Sequence, residues 1–155
     1  MKEKFKQAFM DTARRFAELS HARRLKVGAI VVNDDRIISI GYNGMPAGWD
    51  NNCEEHPKIV NQQTYAIEED KTRLVTRQEV LHAERNALDK LARNGGGGSG
   101  SYMFSTHSPC LECAKSIYGA GITEFFYSED YRSTDGIDFL KNCGVKIEKI
   151  STDDK

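Results

Sequence analysis

The chain has 155 residues, 39% of them apolar and 29% charged, which suits one globular domain with a single core and excludes a disordered chain; its four cysteines are too few for a disulfide-built scaffold. With 22 basic and 23 acidic side chains, the formal net charge of −1 provides no broad electropositive field for a long nucleic acid and leaves room for a small charged ligand. Residues 1–10 carry three lysines and no apolar signal-peptide core, and no run of some eighteen apolar residues occurs anywhere, so the sequence reads as a soluble, cytoplasmic protein with no membrane partner.

Phe5, Ala8, Phe9, Ala13, Phe16, Ala17 and Leu19 recur at helical spacing and predict an amphipathic helix over residues 3–19 whose apolar stripe packs into the core. The β-branched runs 27–32 and 37–40, separated by Asn33-Asp34-Asp35-Arg36, read as an antiparallel hairpin, the first strand being apolar enough to be covered on both faces. A Gly/Pro-rich loop follows over residues 41–48. Residues 49–76 are polar and weakly periodic, an insertion in which a turn or two of helix is expected near 57–63.

From Thr76 the sequence Thr-Arg-Gln-Glu has the form of a capping box, and Val80, Ala83, Ala87, Leu88 and Leu91 continue at helical spacing to a stop at Asn94-Gly95. Residues 95–101, Gly-Gly-Gly-Gly-Ser-Gly-Ser, have linker composition but read as a mobile helix-to-strand loop, because chemistry-bearing residues lie on both sides of them. Strands at 102–105, 122–127 and 145–150 then alternate with helices at 110–118 and 136–142, which indicates βαβ units, a sheet with helices on both faces, and one domain over 1–155.

Two short motifs carry chemistry. His82-Ala83-Glu84 and Pro109-Cys110-Leu111-Glu112-Cys113 together give the His-x-Glu and Pro-Cys-x-x-Cys pattern of zinc-dependent nucleobase deaminases. A hydrolytic zinc needs three protein ligands and an open position for water, and His82, Cys110 and Cys113 supply that number. Cys-x-x-Cys at a helix start places both sulfurs near the positive end of the helix dipole, which favours thiolate. Glu84, two residues from His82, is then the proton carrier. Either half alone would be weak, since a single histidine is an ordinary polar residue and a single Cys-x-x-Cys serves redox pairs and structural zinc as well. Glu112 and His107 receive no role.

The chain resembles the deoxycytidylate (dCMP) deaminases of the cytidine deaminase-like superfamily, through Val27-Gly28-Ala29-Ile30-Val31-Val32, Gly41-Tyr42-Asn43-Gly44-Met45-Pro46-Ala47-Gly48, His82-Ala83-Glu84-Arg85-Asn86-Ala87 and Ser108-Pro109-Cys110-Leu111-Glu112-Cys113-Ala114-Lys115. The resemblance implies a three-layer α/β/α sandwich around a five-stranded mixed sheet and zinc-dependent hydrolysis of dCMP to dUMP and ammonia, supplying dUMP for thymidylate synthesis. It places Asn43 on the sugar, with a plain turn as the alternative, and Thr106 and Ser108 at the base, with capping of the following helix as theirs. For a 5′-phosphate, Arg23, Arg24, Lys26, Tyr131 and Arg132 are candidates by charge and donor chemistry, each with a solvated surface role as the alternative.

Similar enzymes are homohexamers, and many are regulated oppositely by dCTP and dTTP, which implies Mg2+ with the triphosphate and an effector site near Gly44, Lys90 and Arg93; the two cations also suit a helix C-terminus. Some relatives carry a second, structural zinc. Here His21, Cys53 and His56 make only an incomplete set for one, and Cys143 reads as a buried apolar residue. Deamination of nucleosides or of tRNA adenosine shares the zinc motif, and a non-catalytic zinc or nucleotide-binding protein could use the same ligands without Glu84.

Overall fold

The computed structural model describes residues 1–151, so the last four positions of the expected 1–155 domain lie outside the described residues. Helix α1 (Glu3–Ala17) leads into strands β1 (Gly28–Asn33) and β2 (Arg36–Tyr42). The insertion holds β3 (Glu54–Glu55), β4 (Lys58–Val60), β5 (Ile67–Glu69) and β6 (Val75–Thr76). Then come α2 (Ala83–Arg93), β7 (Tyr102–His107), α3 (Leu111–Gly119), β8 (Glu124–Glu129), α4 (Asp135–Asn142) and β9 (Lys146–Lys149).

Five strands form one mixed sheet in the order β2-β1-β7-β8-β9. β1 is antiparallel to both β2 and β7, whereas β7, β8 and β9 are parallel and joined through α3 and α4, as the alternating pattern required. The β1–β2 hairpin turns on Asp34 and Asp35, both at positive φ (52° and 57°), the two-residue geometry that matches the twist of the strands it joins.

The period-2 alternation of the strands divides the core between two helical layers. Ile30, Val32, Phe104 and Phe126 face α1 and pack with Phe9, Met10 and Ala13. Phe104 lies almost parallel to Phe126, with ring centroids 4.5 Å apart. Val31, Met103 and Phe125 face the other way, toward Leu88 and Leu91 of α2, Ile117 of α3 and Leu140 of α4. The result is a three-layer α/β/α sandwich. No helix among the described residues is long and apolar enough to cross a membrane.

Several sequence expectations need correction. The insertion has no helix at 57–63: β4 pairs with β5, and the Asn61 side chain closes the loop between them by accepting from the N–H groups of Gln63 and Thr64 at 2.8 and 3.1 Å. Thr76 does not open a helix, because its backbone is in the β3–β6 ladder opposite Glu54; an isolated bridge between Gly44 and Leu81 keeps the chain extended until His82, which becomes the N-cap of α2. Val80 is buried ahead of that helix, against Ala22 and Cys53. The buried stripe of α1 is Phe9, Met10, Ala13 and Ala17, while Phe5 and Leu19 stay 40% and 44% exposed at its two ends. Cys143 is half-buried at the C-cap of α4.

Candidate active site

The two motifs meet where the start of α2 faces the start of α3. Gly41 in β2 makes the first approach possible: a Cβ there would lie 2.4 Å from the Ala83 carbonyl oxygen and 2.7 Å from the Ala87 nitrogen. Ser39 Oγ donates to the Ala87 carbonyl at 2.6 Å and Asn86 Nδ2 to the Tyr42 carbonyl at 2.9 Å, so α2 is fixed to β2 on both sides of that glycine. Gly136 does the same for the second motif, since a Cβ at that position in the first turn of α4 would lie 2.2 Å from the Pro109 carbonyl oxygen.

His82 Nδ1 lies 3.3 Å from Cys113 Sγ and 3.6 Å from Cys110 Sγ. The three ligand atoms all fall within 4.8 Å of one another. A tetrahedral zinc with ordinary Zn–N and Zn–S bonds sets its nitrogen and sulfur ligands roughly 3.6 Å apart, so the donor set fits that ion in both chemistry and spacing. Cys110 is the N-cap of α3, and its sulfur accepts from the Cys113 N–H at 3.5 Å. The cap is therefore neither Thr106 nor Ser108.

The neighbouring Cys113 thiol, against the opposing effect of burial and with help from His82, brings Cys110 down to about 4, whereas Cys113 is pushed up, first by its contact with Cys110 and then by burial. Metal ligation requires both sulfurs as thiolates, so binding would release the protons that the pair holds. The contact with Cys110 raises His82.

Glu84 sits in the first turn of α2 with only 5% of its surface exposed. Ser105 Oγ, from β7, donates to its Oε1 at 3.1 Å. Burial pushes its carboxyl up, opposed by contacts with Cys113, His82 and Ser105. A carboxyl held in this way can both accept and return a proton.

His82, Glu84 and Cys110 line one wall of a cavity of about 950 Å³. Of the other expected site residues, Asn43, Ser108, Arg24, Tyr131 and Arg132 also line it. Asn43 braces the loop as well: its Oδ1 accepts from the Val27 N–H and its Nδ2 donates to the Leu25 carbonyl, both at 2.8 Å. Ser108 Oγ accepts from the Tyr131 N–H at 2.6 Å and ties the two sides of the cavity together. Thr106 lies behind the wall, 5% exposed, where its Oγ1 accepts from the Gly28 N–H at 3.2 Å and shares a 2.8 Å hydrogen bond with His107 Nδ1. Lys26 is exposed outside the cavity, and Arg23 is paired with Glu54.

The cavity also takes His107, Arg73 and Arg77, which no sequence motif marks as site residues. Ion pairs hold Arg73 to Asp70 and Arg77 to Asp50, whereas no ion pair among the described residues takes the guanidinium of Arg24 or of Arg132. Arg132 lies over the Tyr131 ring, 5.5 Å from its centroid.

Of the effector candidates, Lys90 Nζ donates to the Ile40 carbonyl at 2.8 Å, Arg93 is exposed and Gly44 pairs with Leu81. Of the residues considered for a second zinc, Cys53 and His56 are otherwise engaged, and His21 is exposed. Cys53 is buried with Ala22 and Val80, and His56 Nδ1 bonds the Arg73 carbonyl at 2.8 Å. The single cluster of three potential ligands among the described residues is His82, Cys110 and Cys113.

Residues 3–129 match the model of the cytidine and deoxycytidylate deaminase zinc-binding region. The chain belongs to this deaminase family. The chain is 36% identical over 152 residues to the deoxycytidylate deaminase of Enterobacteria phage T4, covering 81% of this deaminase and 79% of the phage protein. It is 32% identical over 149 residues to ComE operon protein 2 of Bacillus subtilis, covering 96% and 72%. Among solved structures, the dCMP deaminase of cyanophage S-TIM5 in complex with dCMP and dUMP superposes with a TM-score of 0.81 at 41% identity over 97% of this deaminase and 99% of that chain. A tRNA:A34 deaminase shares the fold alone, with a TM-score of 0.58 at 20% identity.

Proposed function

We propose that this deaminase hydrolyses dCMP to dUMP and ammonia, using zinc held by His82 Nδ1, Cys110 Sγ and Cys113 Sγ. The observation that carries the reading is that His82, Cys110 and the buried Glu84 line a cavity, with the buried Cys113 sulfur within 4.8 Å of the other two ligand atoms, and that the same cavity presents two guanidiniums, Arg24 and Arg132, free of carboxylate partners. Such a cavity suits a base at one end and a phosphate dianion at the other. The 41% identity to a dCMP deaminase over nearly the whole chain supports the same substrate.

Zinc in this position supplies Lewis acidity that makes water a nucleophile at neutral pH. The chain's own residues carry out the rest. Glu84 takes the proton of the attacking water, returns it to N3 of the ring as the C4–O bond forms, and passes the next proton to the departing N4 amine, so that water and dCMP become dUMP and ammonia. Ser105 holds Oε1 of Glu84 in place during these transfers. Ser108 and Asn43 contribute the polar groups of the pocket, and Arg24, Arg132 and Tyr131 its phosphate end.

The wider reading follows the resemblance: a cytoplasmic homohexamer that supplies dUMP for thymidylate synthesis and responds to dCTP and dTTP, bound with Mg2+ near Gly44, Lys90 and Arg93. Ammonia release from dCMP, deoxycytidine, cytidine and dCTP by zinc-loaded protein tests the assignment, with chelation expected to abolish turnover and added zinc to restore it. Faster turnover of the nucleosides than of dCMP would overturn the monophosphate assignment, and salt-sensitive tRNA binding with inosine formation would replace it. The same assay with dCTP and dTTP, together with sedimentation, tests regulation and the hexamer.

A further inference from the structure

The insertion contains a carboxylate buried where no metal motif explains it. Glu54 in β3 is 1% exposed. Its Oε1 accepts from the backbone N–H groups of Arg23 and Arg24 at 2.7 and 3.1 Å, and its Oε2 meets Arg23 Nε at 3.3 Å. Burial pushes the carboxyl up, but the backbone N–H groups of Arg24 and Arg23 and the Arg23 guanidinium outweigh it, and the net displacement is downward. The group is therefore an anion at neutral pH that holds a turn of main chain.

Its cross-strand partner in the β3–β6 ladder is Thr76. Thr76 Oγ1 accepts from Arg24 Nη1 at 3.2 Å. Arg24 is thus held at its backbone by Glu54 and at its tip by Thr76, two residues opposite each other in one short ladder. That ladder is extended by the Arg77 N–H donating to the Cys53 carbonyl at 2.8 Å. A guanidinium has five N–H donors, so one bond to Thr76 leaves the others for a ligand. Arginine binds oxyanions through a planar fork whose value depends on its being held in orientation, and a long side chain without an ion-pair partner gains most from such holding.

We propose that the β3–β6 ladder is a two-point clamp that aims the Arg24 guanidinium into the cavity for the 5′-phosphate of the substrate, with Glu54 and Thr76 as positioning residues. The inference rests on the nucleotide reading of the cavity given above. It assigns the insertion a task in selecting a nucleoside monophosphate over a nucleoside.

The test compares zinc-loaded wild type, Glu54→Gln, Thr76→Val, Arg24→Ala and the Arg24→Ala/Glu54→Gln double variant. Glutamine keeps the shape of Glu54 but turns one acceptor toward N–H groups as a donor. Glu54→Gln and Thr76→Val are expected to raise KM for dCMP about tenfold while kcat stays within about twofold and zinc per chain is unchanged; in the Arg24→Ala background, Glu54→Gln adds nothing further. Calorimetry with dUMP and deoxyuridine reads the clamp without turnover: dUMP binding weakens about tenfold in Glu54→Gln, and deoxyuridine binding does not change.

An equal KM penalty with and without Arg24, an unchanged KM, or a loss of kcat that follows loss of zinc would each overturn the clamp. Should Glu54→Gln fail to fold, Thr76→Val, on an exposed residue, carries the test, and an unchanged KM and dUMP affinity there overturns it. A wild type that binds dUMP but leaves dCMP intact contradicts the proposed reaction and still reports on the clamp through the calorimetric arm.

Discussion

Glu84→Gln isolates the proton carrier from every structural duty of the same side chain. Glutamine has nearly the volume of glutamate and keeps an amide oxygen to accept the Ser105 hydroxyl that lies 3.1 Å from Oε1, so the 5%-exposed niche remains filled and bonded. What is lost is the ability to take and return a proton. Positioned acid–base groups contribute about 10²–10⁴ in rate, and Glu84 serves the attacking water, the ring nitrogen and the leaving amine, so kcat is expected to fall by about 10⁴, or about 5.5 kcal/mol in the barrier. Stability should move the other way. Burial raises the Glu84 carboxyl above its ordinary 4.5, which means the folded zinc-free chain binds this proton more tightly than the unfolded chain. Stability from this group therefore declines as pH rises above that ordinary value, a decline the neutral glutamine lacks. Zinc-free Glu84→Gln at pH 7 should unfold no earlier than zinc-free wild type. Ammonia release under saturating dCMP, zinc per chain by elemental analysis and thermal unfolding form the assay. A variant within about tenfold of wild-type kcat, or one whose lost rate follows lost zinc, would refute the reasoning.

Two further predictions concern the frame around the site. Gly41→Ala forces a Cβ to 2.4 Å from the Ala83 carbonyl, so the first turn of α2 must shift; a loss of about 1–3 kcal/mol in stability and a fall in kcat larger than the rise in KM are expected, by denaturant unfolding and steady-state kinetics, while Gly119→Ala, at a helical position with nothing within 4 Å, lowers neither stability nor kcat. Glu54 gives a pH dependence of opposite sign to Glu84. Its folded pKa lies below the ordinary 4.5, so its stabilisation is present above that value and is lost as pH falls through the folded pKa; wild type should therefore lose stability in this acid window more steeply than Glu54→Gln, measured as denaturant midpoints at stepped pH.

The sandwich was legible because its strands announce their faces. In Ile30-Val31-Val32, consecutive side chains go to opposite helical layers, and Met103-Phe104 and Phe125-Phe126 repeat the division, so a continuous apolar run encoded a strand covered on both sides. The insertion was not legible, since its ladders contain only two or three residues per strand and almost no buried apolar face. The start of α2 is hidden from the sequence for a related reason. Thr76 carries the side chain of a helix cap, but its backbone was already committed to Glu54, twenty-two positions earlier, and no local pattern records that commitment.

The same distinction divides the site. Zinc ligation restricts residue type so narrowly that His82, Cys110 and Cys113 are legible as a set from the paired His-x-Glu and Pro-Cys-x-x-Cys motif, and the structure brings their ligand atoms within 4.8 Å. Anion binding does not restrict residue type in that way, because any surface arginine or lysine has the charge. What distinguishes Arg24 from Arg23 and Lys26 is context: Arg23 Nε is spent on Glu54, Lys26 stands outside the cavity, and Arg24 alone of the three both lines it and has its guanidinium free of a carboxylate. The value of a cation to a ligand depends on what else claims it and what holds it still. For Arg24 both are decided by residues 54 and 76, whose relation to position 24 exists only once the chain has folded.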